Sequence, residues 1–196
     1  MKIRDFSSSN AIGTADQLCQ YTACVLAQVS SVIQPFVGAR QPDYAAHVGA
    51  HVRHIIEHYD TLANAWAAAQ SAAPGVCTAD YDARARSLEL ETSPLQALRR
   101  VALIADVFGD AGGLDEAAMA QIVHVYTRGG LHGEHNFCTP STLARELMFL
   151  NSHATHHFAI LQGYARERGE SLGAGVGKAP ATVAYEQSLL IAGVTA

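Results

Sequence analysis

Apolar positions recur at helical spacing over four long stretches of the chain. In the first, Leu18, Tyr21, Thr22, Val25, Val29, Val32 and Ile33 step by three and four residues, the period of one helix face. Thr14-Ala15-Asp16-Gln17 just ahead has the form of a capping box. The pattern predicts a helix from about Ala15 to Gln34 that stops around Pro35 and Gly38. It reads as a core helix without chemistry. The second stretch predicts a helix from about Tyr44 to Ala69, opened by Asp43 as N-cap and carrying Val48, Val52, Ile55, Ile56, Leu62 and Trp66. Ser93-Pro94-Leu95-Gln96 combines an N-cap hydroxyl with proline in the first turn. A third helix therefore covers about Pro94 to Phe108 and ends at Gly109-Asp110-Ala111-Gly112-Gly113. The fourth runs from Ser141 to Gly169, with Thr139, Pro140 and Ser141 as its start. Leu143, Leu147, Leu150, Phe158, Ile160 and Leu161 form its apolar surface. Arg166 and Arg168 suit the negative end of its dipole, and Gly169 stops it.

The intervening stretches are of other kinds. Residues 1 to 13 are polar and read as loosely held. Ser71 to Asp82 is a connection broken at Pro74-Gly75. Tyr81 to Glu91 has mixed charge and little periodicity, and reads as an extended segment lying across the helices. Its Arg84 and Arg86 have a plain role, pairing with acidic side chains, and a sharper one, holding an anionic substrate; the plain one is favoured. Ile122 to Thr127 is rich in β-branched and aromatic residues and predicts a short strand. Residues near Gly133 to Cys138 are its hairpin partner, and His132, Glu134 and His135 read as a polar loop. Gly173 to Gly177 lacks the strand–loop–helix context of a phosphate loop. Ala179 to Glu186 adds a short final helix or packs along the bundle. No internal repeat is present. Four amphipathic helices with one strand pair predict an all-α four-helix bundle with a short β-hairpin or extended insertion before the last long helix. The 196 residues form a single domain, with its core over about 14–169 and a tail over 170–196.

Composition narrows the function. A net charge of -5 leaves no basic footprint for nucleic acid. No apolar run reaches the length of a spanning helix, and the start is too polar for a signal peptide, so a cytoplasmic protein without membrane contact is expected. Cys19, Cys24, Cys77 and Cys138 form no CxxC pair, which argues against a zinc knuckle or a thioredoxin motif and for reduced, mostly structural thiols. An alanine-rich face (Ala63, Ala65, Ala67 to Ala69) suits close packing, internal or against a second copy.

Histidine is the unusual component, with ten residues, seven of them in two short stretches. His47, His51, His54 and His58 are spaced four, three and four apart and share one stripe of the second helix. Amid so many apolar neighbours each buried ring nitrogen would need a partner. On the fourth helix His153 and His157 lie one turn apart, the spacing with which two imidazoles chelate one metal ion. Glu146, two turns earlier on the same side, is a candidate to orient a ligand or to be an extra one. One histidine from the second helix and two from the fourth give three neutral imidazoles with an open position, which suits a catalytic zinc or nickel site. Metal held in this way makes a bound water or thiol a nucleophile at neutral pH.

The segment His47-Val48-Gly49-Ala50-His51-Val52-Arg53-His54-Ile55-Ile56-Glu57-His58 resembles the second-helix motif of DinB/YfiT-like proteins. Arg145-Glu146-Leu147 through His153-Ala154-Thr155-His156-His157 resembles their later HxxxH motif, and Gly177 to Thr182 resembles the tail of one branch. The resemblance runs from the first helix to about Tyr185. It implies a four-helix bundle, often a homodimer, that holds a divalent metal on three histidines. By motif position these are His54, His153 and His157, with His51 and His58 on the same stripe as rivals to His54. Characterised members of the family include thiol transferases using mycothiol, bacillithiol or glutathione, and a mycothiol-dependent maleylpyruvate isomerase. The extra histidines at 47, 51, 58 and 156 depart from the simplest family pattern. The expected function is activation of a low-molecular-weight thiol or a water for transfer to, or hydrolysis of, a small-molecule substrate, with His51 or His156 as general base. The competing expectation is a non-catalytic, dimeric metal-binding bundle of structural or stress-associated role. A di-metal carboxylate site is disfavoured, because the paired Glu-x-x-His motifs it needs are missing.

Overall fold

The computed structural model describes residues 13–71, 75–109 and 112–191. Most of the loosely held start, the Pro74 breaker, and Asp110 and Ala111 lie outside the described residues. The chain is mostly helical, with a small three-stranded sheet. Helix α1 is Ala15–Ile33, followed by one 3₁₀ turn, Gln34–Phe36. Helix α2 is continuous through Gln41–Asp43, a π-helical segment Tyr44–Val48, and Gly49–Ser71. Strand β1 (Cys77–Asp80), α3 (Leu88–Thr92), α4 (Pro94–Phe108) and α5 (Glu116–Met119) come next. Strands β2 (Ile122–Gly129) and β3 (His135–Thr142) lead into α6 (Leu143–Glu167), and α7 (Pro180–Ile191) is last.

Helices α1, α2, α4 and α6 form the helical layer. Each of α1 and α2 packs on both α4 and α6. The helix ends follow local chemistry. Thr14 Oγ1 accepts from the Gln17 N–H, and the Gln17 side chain accepts from the Thr14 N–H, completing the capping box. Ser93 caps α4 through its Oγ, which accepts from Gln96 N. At the other end of α6, Gly169 has φ +70 and donates to Arg166 while Glu170 donates to Ala165, a Schellman stop. One buried polar chain crosses the core: the Tyr59 hydroxyl donates to Asn151 Oδ1 (2.7 Å), and Asn151 Nδ2 donates to Thr22 Oγ1 (3.0 Å). It ties α1, α2 and α6 at one level.

Three expectations need correction. Asp43 does not cap α2. Proline tolerates the first turn of a helix, and α2 begins at Gln41 with Pro42 inside it. Asp43 becomes a first-turn residue 3.6 Å from Arg40, and its side chain makes no capping bond. Thr139, Pro140 and Ser141 do not start α6 but continue β3, paired with Val125, His124 and Val123. β3 is an edge strand, where a missing proline N–H costs no ladder bond. The cap falls to Thr142, whose Oγ1 accepts from Arg145 N. The protein is also not wholly helical beyond a hairpin. Within the expected connection Ser71 to Asp82, β1 runs parallel to β2, Cys77 beside Val123 and Asp80 beside Tyr126. Such pairing needs a long crossover, supplied here by residues 81–121. Cys77, Ala79, Val123 and Val125 are the buried face of the sheet, with β1 against α2.

Candidate metal centre

Helix α2 is clamped on one side by the segment that follows β1. Tyr44 donates through its hydroxyl to Leu90 O (2.8 Å), and Arg53 Nη1 pairs with Glu91 (2.6 Å). Gly49 permits this approach, since a Cβ there would lie 1.8 Å from the Glu91 carbonyl oxygen. Buried Glu57 accepts from Ser87 N (2.6 Å), a reach made by the left-handed turn at Arg86, φ 52. On its other side α2 packs on α6, and the two histidine stripes meet there.

His54 Nδ1 or Nε2 and one ring nitrogen each of His153 and His157 lie within 4.8 Å of one another, a group that could hold a metal ion. The rings of His54 and His153 are 4.9 Å apart between centroids, His54 and His157 4.8 Å, and His153 and His157 4.7 Å. His58 is packed against His54 at 4.3 Å and His153 at 4.6 Å. Burial depresses all four, bringing His54 to about 3 and His58, His153 and His157 to about 4; neighbouring histidines and the Arg84 charge act in the same direction. At neutral pH the cluster is uncharged, and each ring keeps one lone pair.

Two contacts assign those lone pairs. His58 Nδ1 lies 2.7 Å from the His54 carbonyl oxygen, so it carries its proton and donates. His51 Nδ1 lies 2.9 Å from His157 Nδ1, so one of these two rings donates to the other. If His157 is the donor, its Nε2 lone pair is free for a ligand role and His51 fixes its orientation. His153 Nε2 is buried and has no hydrogen-bond partner among the described residues. Such an orphan costs free energy unless something meets it. A divalent ion fits this donor set of neutral imidazoles. Ligand bonds of about 2.0–2.1 Å would place the nitrogens roughly 3.3 Å apart, and here they lie within 4.8 Å.

The other expected site residues lie nearby or apart. His51, half-buried with its pKa lowered by burial, is outside the three-histidine group and contacts His157. His156 is exposed, 5.7 Å from His157 between centroids, and lines a groove of about 600 Å³ with Tyr21, Ser152 and Thr155. His47 is exposed on the π-helical segment. His132 and Glu134 lie in the exposed β2–β3 turn, where Glu134 accepts from His132 N (2.8 Å), and exposed His135 begins β3. None of the four cysteines forms a disulfide among the described residues.

Glu146 is neither a ligand nor a direct partner of one. Its buried carboxylate accepts from the Tyr81 hydroxyl (2.8 Å), the Ser141 hydroxyl (2.6 Å) and Arg145 Nη1 (3.0 Å). Its side chain is two turns from His153 on α6, and its carboxylate is taken up by the post-β1 segment at Tyr81 and by β3 at Ser141. Tyr81 in turn stacks on His58 at 5.5 Å, and Phe149 stacks on His153 at 5.7 Å. These two aromatics wall the cluster, and no periodicity in the sequence announces Tyr81. Arg84 is the larger surprise. It makes no ion pair with a carboxylate among the described residues and points Nη1 at His54 Nδ1 and at His58 Nδ1, 3.0 Å in the second case. Comparison of the chain with protein-family models, with curated proteins and with solved structures found no match.

Proposed function

We propose that the protein is a divalent-metal-dependent enzyme of the DinB/YfiT-like class, a thiol transferase or hydrolase acting on a small molecule. The observation that carries this reading is the half-buried, uncharged three-histidine group with a buried, unmet nitrogen on His153. Its ligands are His54, His153 and His157, and zinc or nickel suits three imidazoles best. When bound, the metal supplies a lowered pKa for a coordinated thiol or water. The chain's own residues do the rest. Tyr81 and Phe149 shield the rings from water, and His51 holds His157 in the tautomer that leaves its Nε2 lone pair available. Exposed His156, beside His157, is the histidine left to take a proton from the nucleophile. The same reading includes a cytoplasmic homodimer. The absence of any helix long and apolar enough to cross a membrane among the described residues is compatible with it.

The test is elemental analysis of tag-free protein, wild type beside His54→Ala, His153→Ala and His51→Ala, followed by a screen of thiol-dependent transfer and ester hydrolysis. The expected result is about one zinc or nickel per chain, lost with His54→Ala and His153→Ala and retained with His51→Ala. Turnover should vanish with His153→Ala. Wild type that takes up no metal on reconstitution refutes the reading. A metal-dependent melting temperature with no turnover would make the protein a non-catalytic metal-binding bundle instead.

A further inference from the structure

The segment between β1 and α3 delivers Arg84 to the histidine cluster and is pinned on both sides. Before Arg84, Asp80 Oδ1 accepts from the N–H groups of Asp82 and Ala83 (2.9 and 3.1 Å), and Asp82 Oδ2 accepts from Arg128 N (2.6 Å). After it, Glu57 holds Ser87 N. Other half-buried arginines of this protein have carboxylate partners: Arg53 has Glu91 and Arg100 has Asp60. Arg84 has none among the described residues. Its Nε is buried without a hydrogen-bond partner, and its Nη1 faces imidazole nitrogens. A guanidinium is charged at every relevant pH; the Glu57 and Asp82 carboxylates attract this one from a distance, but neither bonds it among the described residues, so its N–H groups are left for a further anion to meet.

The lone pairs sharpen this demand. His58 Nδ1 donates to a carbonyl, so it cannot accept from Arg84, and the acceptor facing Nη1 is His54. A neutral imidazole has one lone pair. When His54 gives its lone pair to a metal, through either nitrogen, Arg84 loses that acceptor. The guanidinium is then left with Nη1 without that acceptor on its end edge, formed with Nη2, and with Nε unpartnered on the other edge. Its planar fork matches a carboxylate.

Resting on the three-histidine reading above, we propose that Arg84 is the specificity residue of this site. It binds a carboxylate of the substrate and selects small molecules that carry an acidic group a few atoms from the one that reacts. Glu57 and Asp80 act through the backbone as positioning residues that aim it.

The test uses isotope-labelled, metal-loaded protein and follows the Arg84 Nε–Hε cross peak, assigned with Arg84→Lys. The probes are mercaptopropionate and its uncharged analogue mercaptopropanol. Mercaptopropionate should shift the cross peak and bind about tenfold or more tightly than the alcohol, the gain of a charge-assisted bidentate contact. In Arg84→Met the two probes should bind alike. Equal binding by wild type, or a carboxylate preference that survives in Arg84→Met, overturns the proposal. Metal content measured on the same samples separates the two readings, because loaded protein without a carboxylate preference defeats only the role of Arg84. If the protein holds no metal, propionate titrated into metal-free protein decides at the same cross peak. A saturating shift supports anion recognition by Arg84, and an unmoved peak overturns it.

Discussion

Asn151→Ala tests the contact that sets α2 and α6 at a common level. Asn151, Tyr59 and Thr22 are buried at 0%, 1% and 0% exposure, so none of their polar atoms can turn to water. The substitution removes two hydrogen bonds, each worth about 1 kcal/mol net, and strands the Tyr59 hydroxyl at a cost of about 1–3 kcal/mol. Thr22 keeps its own bond to Leu18 O (2.9 Å), which limits the damage at that end. A loss of about 2–4 kcal/mol is expected, a large share of the roughly 5–15 kcal/mol of a typical domain. Urea denaturation of metal-free protein measures it. The sharper signature lies in the double variant. Tyr59→Phe alone should destabilise, because it leaves Asn151 Oδ1 without its donor. Added to Asn151→Ala, the same change removes a stranded hydroxyl and should be neutral or stabilising. Asn151→Ala within about 0.5 kcal/mol of wild type, or additive losses in the double variant, would refute the buried chain.

Three further outcomes follow from the same geometry. The folded pKa values of His54, at about 3, and of His58, His153 and His157, at about 4, lie below the ordinary 6.5, so between pH 6.5 and about 4 the unfolded chain binds protons that the folded one refuses. Stability of metal-free protein should therefore fall as pH drops through that window, and equal urea midpoints at either end would contradict the cluster's burial. Gly49→Ala would ordinarily strengthen a helix, but here the new Cβ meets the Glu91 carbonyl, so a loss of about 1–3 kcal/mol is expected in the same assay. A stabilised variant would show that α3 does not press on α2. Thr142→Ala should cost about 1 kcal/mol through loss of the α6 cap, whereas Thr139→Ala, at an exposed position of β3, should leave that cap intact, and the reverse order in thermal melts would restore the earlier helix start.

What the sequence by itself determined is local or periodic. The caps at Thr14 and Ser93 and the stop at Gly169 were legible because donor and acceptor lie within five residues of each other. The histidine stripes were legible because helical spacing alone puts His54 near His58 and His153 near His157. The tertiary structure decided whatever depends on a partner far along the chain. Strand β1 has no signal of its own, since its pairing with β2 is made across forty-odd residues of crossover. Thr139 to Ser141 carry good helix-start chemistry, and the β2 ladder overrides it. His51 and His54 share a stripe, and only the docking of α6 against α2 brings His54 into the group with His153 and His157 while setting His51 against one ring. Glu146 meets Tyr81 and Ser141 instead of a histidine, because the post-β1 segment and β3 bring those hydroxyls to its carboxylate. The segment carrying Arg84 is held at Asp82 and Ala83 by Asp80 and at Ser87 by Glu57, thirty residues from Ser87 on a helix, and no spacing rule reaches that far. Periodicity names the face on which a side chain stands; which side chain meets it follows from how the helices and the sheet pack.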